Sequence, residues 1–358
     1  MTVIYHEEDG DLGVLAGKQV GIIGYGNMGR PVALNLRDSG VQVLVSEPRL
    51  EKQAEAIAEG FAITEIEAVV RGADVIMPLL RDEAMPKIYL EHVSPYLRRG
   101  QALVFSSAYN LTYGFIEAPP FVDVGLVSAR TLGAAVRERY LSGEGYASFV
   151  AVAQDASRHA WDVLLGLAKA MGALKGGAIE IRFEQETELD LFLQQAILPI
   201  FHYAVITAAH LLMEHGYPPE AVFTELYLSG ETSDYLRQAA YHGLMKALDL
   251  QELPAQYGTL SRYERFNNAQ FQRLMEITLE EIRSGKFAQE WAKEFGADYP
   301  SCASFSRAAA TWICGAGTAD HRPAAPEQQR LRQRRLRHDS GFCSFFAAWL
   351  HDLRKFLL

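Results

Sequence analysis

Short apolar runs alternate with stretches of helical periodicity from the N-terminus to about residue 180. The apolar runs predict strands at Val20–Gly24, Val41–Ser46, Asp74–Leu80, Ala102–Ser106, Phe121–Ser128 and Ala147–Ala153. Met28–Ser39 and Leu50–Glu59 have the spacing of helices among the first of these strands. Strands that alternate with helices in this way form βαβ units. The pattern therefore predicts an α/β fold with a parallel sheet that is covered on both faces.

The pattern changes near Glu184. From there to about Trp291 there is almost no strand signal, and helical periodicity dominates, with breaks at Gly216–Pro219 and around Pro254–Gly258. We therefore predict an α/β domain over residues 1–182, an all-helical domain over 183–300 and an atypical basic tail over 301–358.

Composition and charge narrow the class of protein. The chain has 358 residues, 49% of them hydrophobic, which suits two packed domains and excludes a wholly disordered protein. Its net charge is −10, but the tail from Ser301 carries +5, so the rest carries −15. Such an acidic body argues against binding along a nucleic-acid backbone. For the run Arg330–Arg337 a solvated tail is the plain interpretation, and contact with nucleic acid or a membrane is the alternative.

Other features favour a cytoplasmic protein without a membrane anchor. The cysteines are odd in number, match no zinc pattern and all lie in the tail, at Cys302, Cys314 and Cys343. Met1–Asp9 is polar and acidic, unlike a secretory signal. Ala196–Met213 is the most apolar long stretch, but a proline and two histidines interrupt it. We therefore predict a buried helix there rather than a membrane span.

A glycine-rich motif lies between the first predicted strand and helix, and consists of Gly24, Tyr25, Gly26, Asn27, Met28 and Gly29. In this setting the glycines give a tight turn, let the backbone approach a pyrophosphate and pack the helix on the sheet. Glu47 ends the second strand, where a carboxylate binds the adenosine ribose and repels a 2′-phosphate. NAD(H) is therefore favoured over NADP(H), although Arg49 could pair with such a phosphate. A glycine turn without a ligand is the alternative.

Carboxylates mark the start of the helical domain. On a helix over Phe183–Gln195, the side chains of Glu186, Asp190 and Gln194 share one face. Two carboxylates one turn apart could hold a hard cation such as Mg²⁺, and a solvated acidic face is the alternative. Glu225, on a later helix, points inward or to the surface on pattern alone.

These motifs together resemble ketol-acid reductoisomerase, the Mg²⁺-dependent enzyme of branched-chain amino-acid biosynthesis. The similarity covers about residues 17–260 and includes G-Y-G-N-M-G, D-V-I-M-P-L-L-R-D-E, Q-D-A-S and F-E-Q-E-T-E-L-D-L-F. The resemblance implies a Rossmann NAD-binding domain, a knotted helical domain and an active site between them, often completed by the partner in a homodimer. It also implies a small hydroxy- or keto-acid substrate.

The chain departs from the family among the metal ligands. Asp190 matches the metal-bridging aspartate, and Glu225 matches the first of two glutamates on a later helix. Where the family has further glutamates, this chain has Gln194 and Ser229. If the alignment is shifted by two residues at Ser229, Glu231 takes the place of that glutamate. A neutral amide is a poorer Mg²⁺ ligand than a carboxylate. The resemblance with these departures therefore predicts one Mg²⁺ on Asp190 and Glu225 rather than two.

Other active-site positions also differ. The family's histidine in A-H-G-F-N falls on Ser107 of S-S-A-Y-N, its lysine in A-P-K-G-P falls on Arg130, and its substrate-binding serine falls near Leu250. By position, Ser107 and Arg130 contact a carboxylate or hydroxyl, and Glu186 supports the metal-binding face or acts as a base. The family's alkyl migration needs two metals to polarise adjacent oxygens, so we expect this chain to be poor at the family reaction.

Hydride transfer is expected to survive these changes. The predicted function is a redox-neutral, NAD(H)-dependent conversion of a 2,3-dihydroxy acid, and it resembles that of the family's homologues in bacterial specialised metabolism, which build a cyclopropanol from a sulfonium diol. Tyr109, Tyr113, Phe115 and Tyr227 could hold a sulfonium by cation–π attraction, or could simply pack in the core. Three other functions stay open: an ordinary hydroxy- or keto-acid dehydrogenase, a genuine reductoisomerase and a non-catalytic binding module.

Overall fold

The computed structural model describes residues 2–266 and 269–301; the predicted tail with its cysteines lies, beyond Ser301, outside the described residues. The strands are β1 (Ile4–Tyr5), β2 (Gln19–Ile23), β3 (Gln42–Ser46), β4 (Val75–Pro78), β5 (Ala102–Phe105), β6 (Asp123–Ala129), β7 (Ser148–Gln154) and β8 (Ala178–Glu180). The α-helices before residue 182 are α1 (Gly29–Asp38), α2 (Leu50–Ala58), α3 (Ile66–Gly72), α4 (Met85–Ile88), α5 (Tyr109–Thr112), α6 (Gly133–Ser142) and α7 (Ala160–Met171). The later ones are α8 (Phe183–Phe192), α9 (Leu198–Glu214), α10 (Pro219–Phe223), α11 (Glu231–His242), α12 (Leu253–Tyr263), α13 (Ala269–Arg283) and α14 (Lys286–Gly296).

The strands form one sheet in the order β1-β8-β7-β6-β5-β4-β2-β3. Strands β3, β2, β4, β5 and β6 are parallel, and the strand order reverses at β2. The prediction of an α/β domain followed by a helical region is confirmed. The expectation of a wholly parallel sheet is wrong, because β7 is antiparallel to β6 with Ala129 opposite Ser148. The connection that contains helix α6 leaves β6 and enters β7 at the same edge of the sheet, so the two strands run in opposite directions. Hydrophobic periodicity predicts which faces of a strand are buried but not its direction.

Apolar side chains cover both faces of the sheet. Neighbouring residues of β2 point to opposite sides, so Ile22 belongs to one buried cluster with Val32 and Leu36 of α1. Ile23 belongs to the other cluster, with Val69 of α3. The sheet is thus buried between two helical layers, and its strand ends are left to carry polar residues.

The described chain divides into two compact units. Unit 1 takes the N-terminal part through Leu191 together with Ile282–Ala288, and unit 2 takes the described residues from Phe192 onward apart from that segment. The helical run that begins at Phe183 therefore contributes its first turns to unit 1. In unit 2 the expected break around Pro254–Gly258 lies slightly earlier, at Gln251 and Glu252, and Pro254 and Gly258 themselves lie in α12. Proline is tolerated in the first turn of a helix, where its missing N–H has no partner to lose.

Unit 2 exposes much of its apolar surface. Helices α8 and α9, with the wider π-helical turn Leu193–Ile197 between them, make a stretch long and apolar enough to cross a membrane, and 11% of its most apolar window is buried. The prediction of a buried helix at Ala196–Met213 is therefore wrong for the single chain. Phe201 is 44% and Tyr203 65% exposed. Length and hydropathy alone do not separate a membrane helix from one that packs on another protein surface.

Candidate active site

The glycine-rich loop leaves the sheet where the strand order reverses. Gly24 has a φ of +100° and donates its N–H to the carbonyl of Ser46 at 2.7 Å, which ties the end of β2 to the end of β3. A Cβ on Gly29 would lie 1.8 Å from the Gly24 carbonyl oxygen, so the start of α1 packs directly on the turn. Dinucleotides bind at such a reversal point, outside the carboxyl ends of the strands.

The middle of this loop is open. The nearest atom to a Cβ built on Gly26 is Nη2 of Arg49, at 3.5 Å. The backbone there is accessible to a pyrophosphate, and α1 begins three residues further on, with the N-terminal end of its dipole facing the anion. The loop of residues 24–29 therefore fits the phosphates of a dinucleotide.

Glu47 lies beside the loop, buried and fully hydrogen-bonded. Its Oε2 accepts from the Tyr25 N–H at 2.6 Å, and its Oε1 accepts from the Arg49 N–H at 2.9 Å. The Arg49 guanidinium donates to both oxygens, from Nε at 2.8 Å and from Nη2 at 3.0 Å. Burial raises the pKa of Glu47, but these hydrogen bonds outweigh it and hold the pKa below its usual value. A ribose hydroxyl would therefore reach Glu47 by replacing Arg49.

Glu186 is the best-buried carboxylate of the second polar cluster. It lies on α8, and the cluster forms at the carboxyl ends of β4, β5 and β6. Its Oε2 accepts from the Ala108 N–H, after β5, at 3.0 Å, and its Oε1 accepts from the Ser128 hydroxyl, in β6, at 2.8 Å. Burial raises its pKa, and the charge of Asp190 adds to that effect against the hydrogen bonds. Glu186 thus joins two strand ends to α8.

Arg130, just after β6, pairs with two of the carboxylates of α8. Its Nη2 lies 2.6 Å from Oδ1 of Asp190, and its Nη1 lies 3.5 Å from Oε1 of Glu186. The guanidinium also stacks over the Phe149 ring at 5.0 Å. The structure therefore brings together three of the predicted residues, Glu186, Asp190 and Arg130, and pairs the Arg130 guanidinium with the predicted metal ligand Asp190.

Asp82 is a site residue that the sequence reasoning missed. It follows β4, and its carbonyl and Oδ1 accept from the Asn110 amide at 3.1 and 3.4 Å. Burial and the charges of Glu83, Glu186 and Asp190 raise the pKa of Asp82 to about 7. An acidic residue two positions beyond the predicted strand Asp74–Leu80 was the available signal. Ser107 lies in the loop after β5, where its hydroxyl accepts the Tyr109 N–H at 3.3 Å.

The remaining predicted residues lie in unit 2. Glu225 and Ser229 are exposed, and Glu225 lies in a π-helical turn, Thr224–Leu228. Gln194 lies in the other π-helical turn, so the regular spacing that predicts a shared face covers only Glu186 and Asp190. The predicted aromatic group is also divided. Tyr109, Tyr113 and Phe115 pack on one another in unit 1, while Tyr227 packs on Phe223 in unit 2.

Mg²⁺ requires several oxygen ligands, among which carboxylates are preferred. No group of three or more His, Cys, Asp or Glu side chains that could hold a metal occurs within residues 2–266 and 269–301. Asp190 and Glu225 are carboxylates and suit a single hard cation, whereas Gln194 and Ser229 are neutral. The predicted set therefore offers two carboxylates in place of the four that the resemblance implies, and one of them, Asp190, already pairs with Arg130. Magnesium at Asp190 and Glu225 stays a prediction.

Fold and loop together define a dinucleotide-binding oxidoreductase. Comparison with protein families extends this conclusion along the chain. Residues 14–177 match the model of the acetohydroxy acid isomeroreductase NADPH-binding domain, and residues 183–320 match that of the ketol-acid reductoisomerase C-terminal domain. The chain belongs to the ketol-acid reductoisomerase family.

Individual relatives agree. The chain is 38% identical over 291 residues to the ketol-acid reductoisomerase (NADP(+)) of Pyrococcus abyssi, covering 80% of this chain and 87% of that protein. It is 38% identical over 301 residues to the ketol-acid reductoisomerase (NAD(P)(+)) of Metallosphaera sedula, covering 83% and 89%. A solved structure, an NADH-preferring ketol-acid reductoisomerase from an uncultured archaeon, is similar with a TM-score of 0.82 and 31% identity, covering 88% and 97%. The predicted family and class of enzyme are confirmed, whereas the choice between NAD and NADP stays open.

Proposed function

We propose that this member of the family is an NAD(H)-dependent enzyme that converts a 2,3-dihydroxy acid without net oxidation or reduction. The observation that carries the proposal is the ion pair of Arg130 with Asp190, at 2.6 Å. This ion pair neutralises the carboxylate of Asp190, which the family resemblance assigns to metal binding. The guanidinium belongs to Arg130, at a position where the resemblance places a lysine. Hydride transfer does not need a second metal ion, and the loop of residues 24–29 fits a dinucleotide, whereas alkyl migration needs strong polarisation of two oxygens.

Glu47 supports the choice of NAD(H). Its carboxylate lies against the glycine-rich loop and is held ionised by Tyr25 and Arg49. An ionised carboxylate there accepts ribose hydroxyls and repels a 2′-phosphate. Arg49 is half-exposed and favours NADP(H) instead, because its guanidinium could leave Glu47 and pair with a 2′-phosphate.

Two carboxyl groups can move the protons of the reaction. Oxidation at C2 of the substrate requires a group that takes the hydroxyl proton, and the ketone then acidifies the hydrogen on C3. Asp82, whose pKa is raised to about 7, takes and returns one proton near neutral pH. Glu186 is the second acceptor, positioned by Ala108 and Ser128. A Mg²⁺ ion, when bound, would be held by Asp190 and Glu225 and would polarise the 2-hydroxyl and carboxylate of the substrate.

The particular reaction proposed is ring closure of a diol that carries a dimethylsulfonium group on C5. Hydride passes from C2 to NAD⁺, and the C3 proton leaves to an enzyme base. The C3 carbanion then attacks C5, a C3–C5 bond forms, and dimethyl sulfide leaves with the electrons of the C–S bond. Hydride returns from NADH to C2, which leaves a cyclopropanol, dimethyl sulfide and one released proton, with the cofactor unchanged.

A second copy of the chain is part of the proposal. Among the described residues of unit 2 the buried apolar side chains are few and mostly small, and they are Ala196, Ala209, Val222, Ala247 and Leu248. Many large apolar side chains of the same unit are exposed, which a stable monomeric domain of this size does not tolerate. They occur on several helices and not only on α9, which supports a protein partner over a membrane. We propose a homodimer formed through unit 2.

The test uses the full-length protein with Mg²⁺. It is incubated with NAD⁺ and the sulfonium diol acid, and separately with NADH or NADPH and 2-acetolactate. We expect dimethyl sulfide to be released without net NADH accumulation, and 2-acetolactate to be converted slowly or not at all. Net accumulation of NADH would identify a simple dehydrogenase, and rapid conversion of 2-acetolactate would identify a genuine reductoisomerase. Either result contradicts the proposal.

A further inference from the structure

Two buried polar atoms next to Asp82 have no hydrogen-bond partner in the described part of the chain. They are the hydroxyl oxygen of Tyr109 and Oδ1 of Asn110, which belong to consecutive residues of α5. Tyr109 is 7% and Asn110 1% exposed. A buried polar atom without a partner costs free energy, so these two need an explanation.

The surroundings fix the orientation of both groups. The Asn110 amide donates to the carbonyl and Oδ1 of Asp82, which leaves its oxygen as the unpaired atom. The Tyr109 ring packs on Tyr113 at 5.0 Å and on Phe115 at 6.0 Å between ring centres. Burial and the nearby Asp82 raise the pKa of Tyr109, so its hydroxyl keeps its proton.

The hydroxyl of Tyr109 is an addition relative to the family motif. In A-H-G-F-N the corresponding residue is phenylalanine, which packs equally well on Tyr113 and Phe115. Packing therefore does not require the oxygen. The Tyr109 oxygen costs free energy and adds no packing, and this cost is removed if a ligand supplies its hydrogen-bond partner.

The chemistry of the two atoms selects the ligand group. Asn110 Oδ1 only accepts hydrogen bonds, and the Tyr109 hydroxyl both donates and accepts. Asn110 Oδ1 needs a donor and the Tyr109 hydroxyl can donate or accept, so a hydroxyl satisfies both atoms, whereas a carboxylate has no hydrogen to donate and leaves Asn110 Oδ1 unpaired. The carboxylates of Asp82 and Glu83, which act on Tyr109, also disfavour an anionic group there. We infer that Tyr109 and Asn110 form a subsite for a neutral hydroxyl of the substrate, the 3-hydroxyl of a 2,3-dihydroxy acid.

This inference rests on the proposed function, and a binding experiment separates the two. Isothermal titration calorimetry is carried out on the full-length protein saturated with NADH, in which a hydroxy acid cannot be oxidised. The probes are 2,3-dihydroxybutanoate and 2-hydroxybutanoate, which lacks the 3-hydroxyl. We expect wild type to bind the diol about tenfold more tightly, and Tyr109→Phe to lose that preference while its affinity for 2-hydroxybutanoate is unchanged.

Tyr89→Phe is the matched control. Tyr89 is also buried, but its hydroxyl already donates to the Glu117 carbonyl at 3.0 Å. Its loss is expected to lower thermal stability and leave the preference for the diol intact. If Tyr109→Phe keeps the preference, or is merely less stable, the hydroxyl serves the fold or an ordered water and the inference is overturned. If neither probe binds to wild type, the proposed function fails and the inference fails with it.

Discussion

Arg130 and Asp190 form an ion pair of 2.6 Å between the end of β6 and helix α8. The guanidinium is 21% exposed and the carboxylate 36% exposed. Arg130 is further fixed by Glu186 and by the Phe149 ring. This places a permanent positive charge on the side chain that the family resemblance assigns to a metal ion, so cation and guanidinium compete for the same oxygen.

Arg130→Gln is expected to strengthen binding of a divalent cation. The variant removes the competing charge and leaves the Asp190 carboxylate to a metal, so Mn²⁺, used as a paramagnetic substitute for Mg²⁺, should bind about tenfold more tightly. Electron paramagnetic resonance titration of free Mn²⁺ measures the affinity directly. Arg283→Gln is the control, because the exposed Arg283 pairs at 3.0 Å with Glu188, a different carboxylate of α8. Equal affinity of wild type and Arg130→Gln would show that the ion pair does not limit metal binding.

Glu47→Gln is expected to weaken the discrimination between NADH and NADPH. The amide keeps an acceptor for the Tyr25 N–H but removes the charge that repels a 2′-phosphate, and it frees Arg49 to pair with that phosphate. The ratio of the two dissociation constants should change by about tenfold in favour of NADPH. Quenching of protein fluorescence by each nucleotide gives both constants. Glu55→Gln, which removes an exposed partner of Lys52, should leave the ratio unchanged. A wild type that prefers NADPH would show that Arg49, not Glu47, sets the preference.

The nucleotide half of the site was predictable from sequence, and the second polar cluster only in part. Gly24, Glu47 and the first strands lie within about 25 residues, so a local motif fixes their arrangement. The contact of Arg130 with Asp190 joins residues 60 positions apart and depends on where β6 ends against α8. Asp82 was missed because its raised pKa arises mainly from burial, with the charges of Glu83, Glu186 and Asp190 adding to it, and only the folded chain buries Asp82 and brings α8 near. The antiparallel β7 shows the same limit, since local periodicity does not specify strand direction.

Asp38 makes stability depend on pH in a defined window. Hydrogen bonds from Arg137 and Arg37 hold the pKa of this carboxyl below its ordinary value of 3.8. A lowered pKa stabilises the fold above the unfolded pKa, and that contribution is lost as the pH falls through the folded pKa. Asp38→Asn should therefore reduce the free energy of unfolding at pH 7 and make little difference near pH 2. Urea unfolding at both values measures this.

The matched control for Asp38 is Asp234→Asn, which breaks an exposed pair with Arg237. Exposed pairs contribute little, so this variant should resemble wild type at both pH values. A penalty for Asp38→Asn that is the same at pH 7 and pH 2 would mean that packing of α1 on α6, rather than the charge, is what the substitution disturbs.

The apolar surface of unit 2 predicts that the chain is a dimer in solution. Light scattering after size exclusion should give about twice the chain mass of 39.8 kDa. Phe201 is 44% exposed on α9, so Phe201→Asp should place a charge within the dimer contact and shift the mass towards the monomer. Leu50→Asp is the control, because Leu50 is 80% exposed in unit 1 and should tolerate the charge. If the wild type is a monomer without added detergent, a second copy of the chain does not cover this surface. Recovery of the protein only in detergent would indicate that α9 contacts a membrane.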